Sequence, residues 1–298
     1  MIRLAAALVS LSVIWGMSFM FIKILLLELS PWQIVLYRSV FGLAALAIIY
    51  FAKQLTINWR EQPYPMLFIV GILNAGIPWG LIALSEKVLP SSLAAILNAT
   101  TPLWATVIGV LFFGSKLAKR QYIGILAGFF GILLLSGVDS SEEGKLTVVT
   151  GVVLMLCATC CYGFSSHLAK KHLQEAGVWV ISVSTLLASF FTGLAGSAAT
   201  GSVAASISWL SVLSLIGLGS FGGGVAYLLY YYLIQKGSAE LATLVTYLVP
   251  VTAVIWGTVL LNELFTLHAA AGMIFVLAGI FLSAKNKRKE EKDRNFPA

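Results

Sequence analysis

The stretch SSLAAILNATTPLWATVIGVLFF, residues 91–113, carries no charged side chain from end to end. A helix of about 20 apolar residues spans the hydrocarbon of a bilayer, roughly 30 Å thick, and this stretch has that length and character. A membrane β-strand would alternate in polarity over about ten residues. Here the run is apolar throughout, apart from a polar notch at Asn98, Thr101 and Pro102. The pattern then recurs. Residues 239–261, AELATLVTYLVPVTAVIWGTVLL, place Leu241, Ala242, Pro250 and Gly257 where the first stretch has Leu93, Ala94, Pro102 and Gly109, an offset of 148.

Moving outward from this pair, the offset of 148 continues from Gly124 and Gly131 onto Gly272 and Gly279. Toward the N-terminus an offset of 146 pairs Gly71 with Gly217 and Asn74 with Ser220. An offset of 147 pairs Trp15, Gly16, Ser18 and Lys23 with Tyr162, Gly163, Ser165 and Lys170. Single Gly or Leu matches are cheap in apolar sequence, but their order and near-constant offset along the chain mark two related halves. Apolar runs occupy 3–27, 31–52, 65–85, 91–113, 118–137, 147–169, 178–199, 209–234, 239–261 and 266–284. Five runs per half is an odd number, so the halves enter the membrane in opposite senses. The expected fold is an all-α membrane protein of ten transmembrane helices, two inverted five-helix repeats. The first repeat is read over 1–138, an external linker over 139–146, the second repeat over 147–284 and a basic cytoplasmic tail over 285–298.

Composition agrees with a lipid environment. Of 298 residues 59% are hydrophobic and 10% charged, against about 25% charged in soluble domains. The net charge of +7 has no basic face for nucleic acid; six of the 19 Lys and Arg lie in the tail. Short-loop basic residues set orientation. Arg3, Lys53, Arg60, Lys116, Lys119, Arg120, Lys170, Lys171, Lys236 and the tail fall on one side, against Lys23, Lys87 and Lys145 on the other. Both termini are therefore expected in the cytoplasm of an inner-membrane protein. The first run continues to about Leu27 with no small-x-small cleavage pattern before Pro31, so it reads as a span and not a signal. Cys157, Cys160 and Cys161 share one apolar run with no further metal ligand nearby, and read as packing.

The first run contains W-G-x-S-F (Trp15 to Phe19). Later runs contain P-x-x-A-x-x-x-G (Pro102, Ala105, Gly109; Pro250, Ala253, Gly257), then Asn262-Glu263, Gly124 and Gly131, and Gly272 and Gly279. On these motifs the chain resembles the EamA-type drug/metabolite transporter superfamily over its full length apart from the tail. Ser115 stands where the repeat places the counterpart of Glu263, a departure from the pattern. The resemblance implies a carrier of amino acids or related metabolites, commonly an exporter, with the fourth and ninth spans in the central scaffold.

Polar atoms inside a bilayer need partners. The Asn98, Thr101 and Pro102 notch has mates at Thr246 and Pro250, with Tyr247 beside them; the groups either bind substrate or bond between helices around a kink. In the third span Asn74 and Pro78 share a face, and Ser220 and Gly224 precede Tyr227 at helical spacing. The Gly222-Gly223-Gly224 run permits bending or close packing. Trp15, Trp79, Tyr162 and Tyr227 lie deeper than the interfacial Trp32, Trp59, Trp179 and Trp209, and are candidates to line a cavity. Arg38 lies about 10 Å into the second span by a rise of 1.5 Å per residue, with carboxylate binding and snorkelling as its two readings. Lys23 and Lys170 read as anchors or gates. His167 follows Ser165-Ser166, but no acid orients it, which argues against a catalytic pair. Glu28, Glu86, Glu240 and Glu263 fall at span ends, so no carboxylate is expected in a span centre to relay protons.

The site expected from sequence comprises Trp15, Ser18, Arg38, Asn74, Trp79, Asn98, Thr101, Tyr162, Ser165, Tyr227, Thr246 and Tyr247 for substrate, with Pro78, Pro102, Gly224 and Pro250 as hinges or kinks. No catalytic residue, metal or cofactor is called. The partners expected are a small-molecule substrate and the bilayer, with no nucleic acid; monomer and homodimer both stay open. The leading function is export of small metabolites, most of all aromatic or other neutral amino acids, by alternating access. The alternatives are a membrane enzyme acting on a lipid headgroup, which needs a cluster of acid, His or Lys at an interface, and a non-transporting structural bundle.

Overall fold

A computed structural model describes residues 2–54, 59, 61–115, 117–136, 142–201, 207–236 and 244–283, without the side chains of 142–145, 231, 234 and 235. Asp139, Glu240, Arg60, Lys116 and the tail 285–298 lie outside the described residues. Among the described residues every regular element is a helix. In order they are α1 (Ile2–Leu25), α2 (Pro31–Ala52), α3 (Tyr64–Gly71), α4 (Ile77–Glu86), α5 (Ser91–Asn98), α6 (Thr101–Phe113) and α7 (Lys119–Ser136). There follow α8 (Glu142–His172), α9 (Val178–Ala199), α10 (Trp209–Leu215), α11 (Ala226–Lys236), α12 (Val245–Leu260) and α13 (Leu267–Ser283).

Each of the ten apolar runs contains one of these helices or a chain of them. Among the described residues seven helical stretches are long and apolar enough to cross a membrane: Ile2–Leu25, Pro31–Ala52, Tyr64–Glu86, Ser91–Phe113, Leu146–His172, Val178–Ala199 and Trp209–Tyr230. Val245–Leu260 and Leu267–Ser283 are shorter apolar helices. The side chains facing outward are those of a lipid surface: Leu126 is 71% exposed and Ile274 is 64%.

Several helix ends follow from local chemistry. Ser30 caps α2 through its hydroxyl to the Gln33 N–H, Gln33 answers with its carbonyl oxygen to the Ser30 N–H at 2.9 Å, and Pro31 occupies the first turn. This is a capping box with proline where its missing N–H costs nothing. The start of α5 is capped in another way. Pro90 makes no side-chain cap there. Glu263 supplies it from across the fold, its carboxylate accepting from the N–H groups of Ser91 (2.6 Å) and Ser92 (3.0 Å) and from the Ser92 hydroxyl (2.7 Å). Four free N–H groups at a helix start attract an anion, whichever segment carries it.

Three runs are interrupted. A π-helical segment, Ile72–Gly76, joins α3 to α4, and a longer one, Ile216–Val225, joins α10 to α11. The second contains the Gly222–Gly224 run. The fourth run breaks between Asn98 and Thr101, where the Thr100 hydroxyl donates to the Leu97 carbonyl (2.6 Å) and lies 3.4 Å from that of Thr159. A difference from sequence lies in the linker: α8 begins at Glu142, so its second half is helical where a loop was expected.

Packing pairs elements from opposite halves. α1 lies against α12, where the Thr252 hydroxyl donates to the Ser12 carbonyl (2.8 Å), and α8 lies against α6. His167 belongs to this second contact; its Nε2–H donates to the Ala105 carbonyl at 2.7 Å. α7 and α13 meet backbone to backbone. A Cβ on Gly124 would lie 2.6 Å from the Gly279 carbonyl oxygen, and one on Gly279 would lie 2.6 Å from that of Gly124. Only glycine permits that approach.

Candidate functional site

α2, α4, α8 and α11, with the π segment before α4, bring five of the expected residues together. Arg38 of α2 is 7% exposed. Its guanidinium carbon stands 3.6 Å from the ring centroid of Trp79 on α4, itself 5% exposed. A desolvated cation on an indole face gains about 2 kcal/mol or more. The titratable groups acting most on Arg38 are the hydroxyls of Tyr162 on α8 and Tyr227 on α11, then Glu86. Trp79 donates a hydrogen bond to Tyr162, and Asn74 bonds Tyr227. The four polar side chains around the guanidinium are thus tied in pairs, one from each half of the chain in each pair. The Arg38 Nε–H is buried and has no partner.

Helical spacing explains the assembly. Widening the turn at Ile72–Gly76 rotates Asn74 relative to the residues below it, and such π segments recur at functional sites because they re-aim side chains. Pro78 follows in the first turn of α4, and Trp79 comes next. In the second half, Ser220 donates to the Phe41 carbonyl (3.2 Å) inside its π segment, which also holds Gly224. Tyr227 lies just beyond it.

The wall continues toward α1. The Trp15 indole N–H donates to the Gly222 carbonyl (3.3 Å), and its ring lies 5.7 Å from that of Tyr230 in a tilted contact. Tyr230 is a wall residue that the sequence reading missed; its spacing of three from Tyr227 was the available signal. Ser18, one turn from Trp15, bonds its own helix at Ile14 (3.1 Å). Its mate Ser165 donates to the Val70 carbonyl (3.3 Å), which fastens α8 to α3.

The remaining candidates lie along α5, α6 and α12 and at the break between α5 and α6. Thr101 donates to the Asn98 carbonyl (2.8 Å) within the α5–α6 break, with Pro102 in the first turn of α6. The side-chain oxygen of Asn98 is buried and unpartnered. Thr246 and Tyr247 lie in the first turn of α12, half-buried, and the charge acting on Tyr247 is that of Arg120. Pro250 lies inside α12 without breaking it.

Glu86 lies at a span end, where the sequence puts it. It ends α4, yet it is 0% exposed and neither carboxylate oxygen has a partner. Lys23, read as anchor or gate, reaches the same end of the bundle and donates to the carbonyls of Glu86 (2.5 Å) and Leu89 (2.8 Å).

Comparison with known proteins fits a membrane carrier. A protein named as an uncharacterized inner membrane transporter, YedA of Escherichia coli K12, is 28% identical over 267 residues, covering 88% of this chain and 84% of its own. An uncharacterized transporter of Archaeoglobus fulgidus is 24% identical over 92% of this chain and 95% of its own. Protein PagO of Salmonella typhimurium is 25% identical over 91% and 90%. One solved crystal structure, 16% identical, superposes with a TM-score of 0.68 over 95% of this chain and 97% of that chain, a likeness of fold alone. The model of the EamA-like transporter family matches residues 3–137 and matches again over 149–285. The chain is a multi-pass membrane protein and belongs to the EamA-like transporter family.

Proposed function

We propose that this chain is a secondary carrier exporting neutral amino acids, aromatic ones foremost, by alternating access around the Arg38 cluster. The observation that carries the reading is the buried guanidinium of Arg38, stacked on Trp79 with its Nε–H unpartnered and Tyr162 and Tyr227 beside it. A guanidinium there suits a substrate carboxylate. Aromatic walls suit a flat or aliphatic side chain.

The topology proposed is ten spans in two inverted five-helix repeats, with the domain limits read from sequence and both termini in the cytoplasm of an inner membrane. Three features support it: the double match to one family model, the two π segments at repeat-equivalent places, and the reciprocal packing of α1 on α12 and α8 on α6. Inverted halves can exchange roles about a site between them, which is the basis of alternating access. The notch residues Asn98, Thr101, Thr246 and Tyr247 are assigned to the moving scaffold beside that site, with Pro102 and Pro250 as kinks. The headgroup-enzyme alternative has its acid, His and Lys in one open hollow, lined by Glu61, Lys171, His172 and Glu175.

Equilibrium binding to purified protein tests the substrate class. Labelled phenylalanine is expected to bind saturably, to be competed by other neutral amino acids and to lose binding in Arg38→Ala. Binding of nucleobases or quaternary amines with no amino acid among the ligands would overturn the assignment.

A further inference from the structure

The carboxyl of Glu86 stands at the end of α4. It is fully buried and both oxygens lack a hydrogen-bond partner. No hydrogen bond from its surroundings compensates that burial. Lys23 on α1 spends its ammonium on the main-chain carbonyls of Glu86 and Leu89. Glu263, after α12, is committed to Ser91 and Ser92 at the start of α5. Arg38 on α2 is stacked on Trp79. These three are the charged groups that act on Glu86. α5 and α9 carry no titratable side chain, and α8 meets this end of α4 through the Gly151 carbonyl, which accepts from Ser85 at 2.8 Å.

An ionised carboxylate so placed gives up its hydration and receives no hydrogen bond in return, only the field of Lys23 and Arg38, which that of Glu263 opposes. A neutral carboxyl incurs a much smaller cost. A metal cation is a poor alternative occupant: hard cations take six or more oxygens, and the two carbonyls at this turn already hold Lys23.

We propose that Glu86 is a proton-binding site and that solute movement is coupled through it to proton movement. In the conformation seen here the carboxyl carries the proton. When the α4–α5 turn opens to water, the O–H bond breaks, the proton passes to water, and Lys23 leaves the carbonyls to neutralise the carboxylate. Coupling rests on the carrier reading above; proton binding itself does not.

Infrared difference spectra of the purified full chain across a pH step distinguish a protonated carboxyl from an ionised one. The wild type should show a carboxyl signal that is lost in Glu86→Gln and kept in Glu263→Gln. In proteoliposomes holding a pH-sensitive dye, the wild type should move protons with labelled phenylalanine, and the ratio of protons to solute should fall to zero in Glu86→Gln. An unchanged carboxyl signal, or an unchanged ratio, in Glu86→Gln overturns the proposal. If the wild type moves no solute, the carrier reading fails while the infrared result still decides the proton site.

Discussion

Arg38 is where a single side chain most constrains function. Its stacking on Trp79 depends on a planar, weakly hydrated cation, so lysine is not an equivalent. Arg38→Lys is expected to keep the charge and weaken phenylalanine binding by roughly 10- to 30-fold, the measure of a desolvated cation–π contact of about 2 kcal/mol. Isothermal titration of the purified variant reads this. Glu28 supplies a pH-dependent case outside the spans. Its carboxylate accepts from the Ser208 N–H (2.9 Å) and the Ser211 hydroxyl (2.7 Å), and the Ser208 bond foremost holds its pKa below the ordinary glutamate value. The folded pKa is depressed, so the stabilisation is fully present above the unfolded value and is lost as pH falls through the folded one. Glu28→Gln should therefore lower Tm at neutral pH, with the difference from wild type disappearing in acid. Arg38 was legible in the sequence because a charge inside an apolar run stands out. Glu86 was not, because its position at the end of a run says nothing about α1 and α8 packing against it.

At the level of elements, the break of the fourth run and the two π segments set the positions of the site helices. α5 is short, with 8 residues, and its N-terminus depends on a carboxylate more than 170 positions away in sequence. Glu263→Ala removes that cap and is expected to cost about 1 kcal/mol, read as a lower Tm with the family of helices retained by circular dichroism. Glu263→Gln should recover part of the loss, since an amide oxygen still accepts. The sequence pointed to bending or close packing at Gly222–Gly224 and to a hinge or kink at Pro78. It could not specify a π turn, because in a run that is apolar on every face a change from 3.6 residues per turn leaves no mark in the pattern. The cap on α5 was equally hidden: Ser30 and Gln33 are local neighbours and readable, whereas Glu263 reaches Ser91 only through tertiary packing.

Across the whole molecule, the contacts run between the halves more than within them. α1 meets α12, α6 meets α8, and α7 meets α13 through facing glycines, while the Arg38 cluster draws on α2, α4, α8 and α11. The repeat was readable because glycines and prolines at close-packed positions survive as punctuation in otherwise interchangeable apolar sequence. The five residues that meet were not separable from the other candidates, since polar residues in a repeat all look alike until the helices are placed. A carrier built this way should exchange solute without any imposed gradient. The decisive measurement is counterflow of labelled phenylalanine in proteoliposomes preloaded with unlabelled neutral amino acids. Saturable uptake in the wild type, at least tenfold lower in Arg38→Ala, is the predicted result. Wild-type uptake no greater than that of protein-free liposomes, or equal uptake by Arg38→Ala, would contradict it.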